Sequence, residues 1–92
     1  MKKPGLDRNG IEVMEGDLVR LLAIRPSIIK RLAGSELADV SSMLGQTVSV
    51  FDVYDDGSVW VSISWKRLDG FTELHAIAVD PEAIELVSRK EH

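Results

Sequence analysis

Cysteine is missing altogether from this chain of 92 residues, which excludes disulfides, thiolate metal sites and a cysteine nucleophile together and leaves packing as the source of stability. Histidine occurs only at positions 75 and 92. With one of the two at the last position, His75 is the single ordinary candidate for a general base, and a histidine within a strand is more often structural than catalytic. Aromatic side chains amount to two Trp, one Tyr and two Phe, so each stands out against its surroundings. Nowhere do about 18 apolar residues follow one another, the length a membrane span needs. No apolar stretch of signal-peptide length follows the basic start Met1-Lys2-Lys3-Pro4-Gly5. The expected setting is therefore the cytoplasm, with no membrane partner.

What is present suits one small domain. The 45% hydrophobic and 28% charged shares are ordinary globular values, and the length is too short for a second core. The 11 basic and 15 acidic side chains leave a net charge of −4. Residues 1–34 hold seven Lys or Arg against four acids, and residues 35–92 four against eleven. Neutralising phosphates needs clustered cations, so a mainly acidic chain is a poor nucleic-acid binder. The local exception is Arg20, Arg25, Lys30 and Arg31.

Along the chain, residues 1–10 have too little apolar surface to order as more than a flexible loop, closed by the turn signal Asn9-Gly10. Ile11 to Asp17 reads as a short extended piece, and Leu18 to Ile24 as a buried strand ending before Pro26. Helical spacing follows: Ile28, Ile29 and Leu32 share one face. Then Ser35 is placed to cap a helix over 36–44, with Leu37, Val40 and Leu44 on one side. Gly45 stands where a left-handed residue ends it. Thr47 to Tyr54 and Ser58 to Trp65 flank Asp55-Asp56-Gly57 and make a hairpin. A three-residue loop with Gly57 left-handed pairs Phe51 with Val61, Asp52 with Trp60 and Val53 with Val59, which keeps the Asp52 charge off the apolar face. Leu74 to Val79 reads as a core strand. Asp80-Pro81-Glu82-Ala83 reads as a helical turn capped by Asp80, followed by a last strand at Ile84 to Val87. Residues 11–88 thus form the domain and 89–92 a disordered tail.

Val13-Met14-Glu15-Gly16-Asp17-Leu18-Val19 resembles the V-x-x-G-D-x-V opening of the translation-protein, KOW-type and Tudor-like barrels. Gly45-Gln46-Thr47-Val48 resembles the G-x-x-V that starts their next strand, and Pro81 to Val87 their closing turn and strand. The resemblance spans roughly residues 10–88 and implies a mostly β fold: an SH3-like barrel of about five antiparallel strands. Its departure is the helical insert at 26–44, between the first long strand and the central hairpin. Acidity is a second departure from the nucleic-acid-binding members.

Catalytic chemistry is not expected. Ser62 and Ser64 sit in a regular strand rather than at a strained turn, and nothing matches a phosphate-cradling loop or a dinucleotide fingerprint, so no cofactor is implied. Asp52, Asp55 and Asp56 lack the alternate spacing of a calcium loop, and the hairpin turn already explains them. Trp60 is different. Val59, Val61, Ile63 and Trp65 share one face of their strand, which leaves Trp60 among Ser58, Ser62 and Ser64. In the barrels named above, exposed aromatics beside acids form peptide grooves or cages for cationic side chains, and Trp60, Tyr54 and Asp52 are the matching set. The bland alternative is that the insert or the N-terminal segment covers Trp60 as a second small core. The expected function is a non-catalytic module for a protein or peptide partner or for self-association. A nucleic-acid-associated KOW-like domain using Arg20, Arg25, Lys30 and Arg31 is the alternative.

Overall fold

Runs of β-branched residues at alternate positions favour strands buried on one face, and most of the chain is built from them. The computed structural model describes residues 3–31, 38, 40–66 and 69–90. Its strands are β1 (Gly5–Leu6), β2 (Glu12–Val13), β3 (Leu18–Leu21), β4 (Thr47–Val53), β5 (Val59–Lys66), β6 (Thr72–Val79) and β7 (Ile84–Ser88). β1 and β2 form a two-stranded sheet, and the other five form an antiparallel sheet in the order β6-β5-β4-β3-β7. The chain is mostly β, as expected. The large sheet does not close: among the described residues β6 and β7 are its free edges.

One face of this sheet makes the core. Val19, Leu21, Val48, Val50, Val59, Val61, Ile63, Ile77, Val79 and Ile84 are all buried there, each worth about 1.5–3 kcal/mol relative to exposure. The central hairpin has the expected three-residue loop, with Gly57 at φ 88°. Asp52 faces Trp60 and Val53 faces Val59, also as expected. Phe51 does not face Val61. A bulge shifts the register between Val50 and Asp52, so Val50 takes that place and Phe51 is 55% exposed. Strict alternation would bury Phe51 and Val53 but turn Val48 and Val50 outward. The extra residue changes the parity, and the three valines then share the inner side.

Two other expectations are corrected. The apolar run 18–24 is not buried on both faces: Leu18 and Arg20 are exposed, and the strand ends at Leu21. β6 is an edge strand in which, among the described side chains, only Ile77 and Val79 reach the core, while Leu74 is 71% exposed. Described helical residues fall within the insert. Pro26–Ile29 is a single-turn helix, α1, and Ala38, Val40 and Ser41 are helical. Val40 is buried, but Leu44 lies in the following turn and is exposed. Leu32, Ser35, Glu36, Leu37 and the Trp65 side chain fall outside what is described. A 3₁₀ turn at Pro81–Ala83 precedes β7; Asp80 makes no side-chain cap there, because its carboxylate is turned to Arg25, 2.9 Å away.

The N-terminal residues are more ordered than their composition suggests. Gly5 pairs with Val13 and lies against the sheet so closely that a Cβ at this position would stand 2.6 Å from Val59 and 2.9 Å from Val53. Two aspartates that the composition did not single out, Asp7 and Asp17, are each only 2% exposed. Asp7 accepts backbone N–H bonds from Asn9 and Ile11 through Oδ1, and from Leu86 of β7 through Oδ2. Asp17 accepts from Met14 and from Lys90, so Lys90, in the segment expected to be a disordered tail, carries a hydrogen bond to the fold. Burial alone would raise the Asp7 carboxyl, but the N–H groups of Leu86, Ile11 and Asn9 and the neighbouring Arg8 charge together outweigh it and hold it below its ordinary value.

Two outcomes are expected. Asp7→Ala leaves three donors unpaired and should cost about 3 kcal/mol in denaturant unfolding. A carboxyl lowered by folding contributes stability that is present above its unfolded value of 3.8 and is lost as pH falls through the folded value. An acid titration of unfolding should therefore lose slope below that point in the variant. Gly5→Ala should cost about 1–3 kcal/mol, because Val53 and Val59 must give way.

Candidate functional site

The hairpin turn decides where Trp60 points. Tyr54 N–H donates to Ser58 and Gly57 N–H to Tyr54 across the loop. Asp56 accepts from Ser58 N–H, and hydrogen bonds from the Ser58 side chain and backbone hold its carboxyl below the ordinary value. Asp52 accepts the N–H of Val53 through its side chain, and the backbone carbonyl of Asp55 accepts the N–H of Lys3. This register places Trp60 on the outer face, where Tyr54 packs against it with ring centroids 5.2 Å apart and planes tilted by 32°. Trp60 is half-buried and Tyr54 exposed. The Trp60 Nε1–H is buried without a hydrogen-bond acceptor among the described residues, a group that costs about 1–3 kcal/mol to leave unpaired.

Trp60 forms one wall of a groove of about 430 Å³ between the insert and the β5–β6 hairpin. Arg25, Ser27, Ile28, Arg31 and Val40 line it from the insert side, and Ile63 and residues 75–78 from the sheet. Among the described residues the walls are largely apolar, and both fully charged side chains are arginines. Arg25 is positioned by Asp80, at the junction of β6 with the 3₁₀ turn, which ties the insert to that end of the groove. Trp60 is half-buried, and among the described insert residues Ser27, Ile28, Arg31 and Val40 line the same groove.

Asp52 opens elsewhere, although it is the cross-strand partner of Trp60. It lines a second concavity of about 560 Å³ with Lys3, Pro4, Glu12, Met14 and Glu15. The expected trio is therefore brought together only in part. Tyr54 and Trp60 touch, but the acid lies in one groove and the indole in another whose charges have the opposite sign. A cage for a cationic side chain would need them in the same place.

Of the basic set, Arg25 and Arg31 share the Trp60 groove, while Arg20, in β3, does not line it. Lys30 is exposed at the C-terminal end of α1. His75 is an exposed residue of β6 on the wall of the same groove. Among the described residues no three His, Asp or Glu side chains converge to hold a metal ion, and no helix is long and apolar enough to cross a membrane. Ile28, Val40 and the β6 edge were not legible as site elements. A weak signal existed for β6, whose run from 72 to 79 contains no lysine, arginine or proline. No protein-family model, curated protein or solved structure matches the chain, so the grooves and their charges carry the functional reading.

In a Trp65→Phe background, Trp60 emission should be quenched by a soluble quencher to an intermediate degree. Trp60→Ala should cost about 2 kcal/mol, less than the roughly 3–5 kcal/mol of a fully enclosed aromatic. Full quenching with no loss of stability would show that the ring stands in solvent.

Proposed function

We propose that this chain is a small non-catalytic binding module for a protein or peptide, on an SH3-like plan that the helical insert has modified. Support for the plan comes from the strand order. After a single 3₁₀ turn the last strand returns to pair with the first long one, β3, and Gly16 and Gly45 adopt positive φ just before β3 and β4. The observation that carries the functional reading is the Trp60 groove: an apolar concavity with two arginines, walled by a half-buried indole whose buried donor has no acceptor among the described residues. Such a mixture of apolar wall and a few polar groups is what recognition sites use.

The KOW-like nucleic-acid reading has less behind it. Arg25 is already paired with Asp80, and the net charge is −4. Short RNA or DNA at physiological salt is expected to leave the amide resonances of Arg20, Arg25, Lys30 and Arg31 unmoved. Micromolar binding abolished by Lys30→Ala would replace the protein-binding reading. For that reading itself, immobilised wild type and Trp60→Ala should differ in the proteins they retain from a nuclease-treated lysate, and identical retention would count against the groove.

A further inference from the structure

The chain holds a single asparagine, Asn9, and a glycine follows it. A carboxamide in that position is open to attack by the next backbone nitrogen, because glycine has no Cβ to screen it. Two hairpin loops of this fold hold such a pair in the same way. Between β1 and β2, Asp7 N–H donates to Ile11 and Gly10 N–H to Asp7; in the central hairpin, Tyr54 N–H donates to Ser58 and Gly57 N–H to Tyr54. Gly10 and Gly57 both have positive φ, 76° and 88°. The side chains ahead of them differ. Asp56 accepts the Ser58 N–H, and hydrogen bonds from Ser58 hold its carboxyl below the ordinary value, so it stays ionised and is a poor electrophile. Asn9 carries a neutral amide and is exposed. A Cβ added at Gly10 would meet no atom within 4 Å beyond its chain neighbours, so the loop has room for a ring.

We propose that Asn9–Gly10 is a site of spontaneous modification, gated by Asp7, whose isoaspartyl product unlatches the N-terminal hairpin from β7. The Gly10 amide nitrogen gives its proton to a solvent base and bonds to Asn9 Cγ. The Cγ–Nδ2 bond breaks, and the side-chain nitrogen leaves as ammonia with a proton from water. A water molecule then opens the cyclic imide at either carbonyl, leaving aspartate or isoaspartate at position 9. One water is consumed and one ammonia released, with no oxidation or reduction. Gly10 N–H is held by the Asp7 carbonyl at 3.0 Å, and the N–H groups of Asn9 and Ile11 are held by Asp7 Oδ1. The nitrogen therefore reaches Cγ only when the loop opens. Isoaspartate runs the main chain through an added methylene between residues 9 and 10, so the flanking N–H groups no longer converge on one oxygen. Asp7 is then not fixed for Oδ2 to hold Leu86 of β7.

The test incubates the full chain, folded and in denaturant, in one mildly alkaline buffer and follows Asn9 by intact mass and peptide mapping. Conversion should occur in both, at least about tenfold more slowly in the folded chain, the factor that about 1.4 kcal/mol of loop opening imposes. Asp7→Asn keeps one carbonyl oxygen but cannot serve both the turn and Leu86, and should narrow that gap. In the isolated isoaspartyl form the Leu86 amide should exchange at least about tenfold faster than in the unmodified chain, by the same conversion. Asn9→Asp, which adds the charge without the methylene, should leave Leu86 exchange nearly unchanged. Equal rates in the folded and unfolded chain, conversion confined to denaturant, no conversion at all, or a gap unchanged in Asp7→Asn would overturn the gated site. Unaltered Leu86 exchange in the isoaspartyl form would overturn the unlatching, a readout that stands even where Asp7→Asn does not fold. Equal acceleration in Asn9→Asp would overturn it too, by assigning the effect to charge.

Discussion

Three backbone N–H groups, from Asn9, Ile11 and Leu86, converge on the carboxylate of Asp7. One oxygen closes the turn between β1 and β2, and the other reaches β7, which is 79 residues away in sequence. The five-stranded sheet is open, so its apolar face depends on covering pieces. Asp7 holds one of them, the N-terminal hairpin, in place. Asp17 repeats the device at the start of β3 by accepting from Lys90 beyond the last strand. A charge buried in this way is tolerable because its hydrogen bonds replace water, and at Asp7 the same bonds make it sensitive to acid.

The other covering piece is the insert. Val40 is buried in the core and Ile28 packs against it, and both also line the groove beside β6. The Arg25–Asp80 pair anchors the insert's beginning. Being about one-third to one-half exposed, this pair adds little stability. Its consequence is positional, since it sets one guanidinium at the groove's rim. A chain of net charge −4 thus places two arginines on one groove, one of them paired with Asp80, so the local sign of a surface follows side-chain placement rather than the total.

Much of the hairpin was legible because its determinants are local. Gly57 alone tolerates the left-handed loop position, and excluding the Asp52 charge from the apolar side sets the pairing of Asp52 with Trp60. The same parity argument failed one residue earlier, at Phe51. Burying Val48 and Val50 depends on β3 beside them, and a two-strand view does not include that neighbour. Asp7 was missed for a related reason. Its turn with Asn9-Gly10 can be seen in the order of residues, but its partner Leu86 cannot.

The sequence by itself determined the class of the protein: a mostly β fold without cysteine chemistry, a left-handed glycine hairpin, helical residues after the first long strand, and an aromatic out of pattern at Trp60. These follow from composition, from period and from the conformational limits of single residues. Only the tertiary structure decided that β6 is an edge, that Asp52 and Trp60 open into grooves of opposite charge, and that Arg25 and Arg31 belong with the indole. Each of those depends on which distant segments become neighbours, and the local spacing of residues does not encode that.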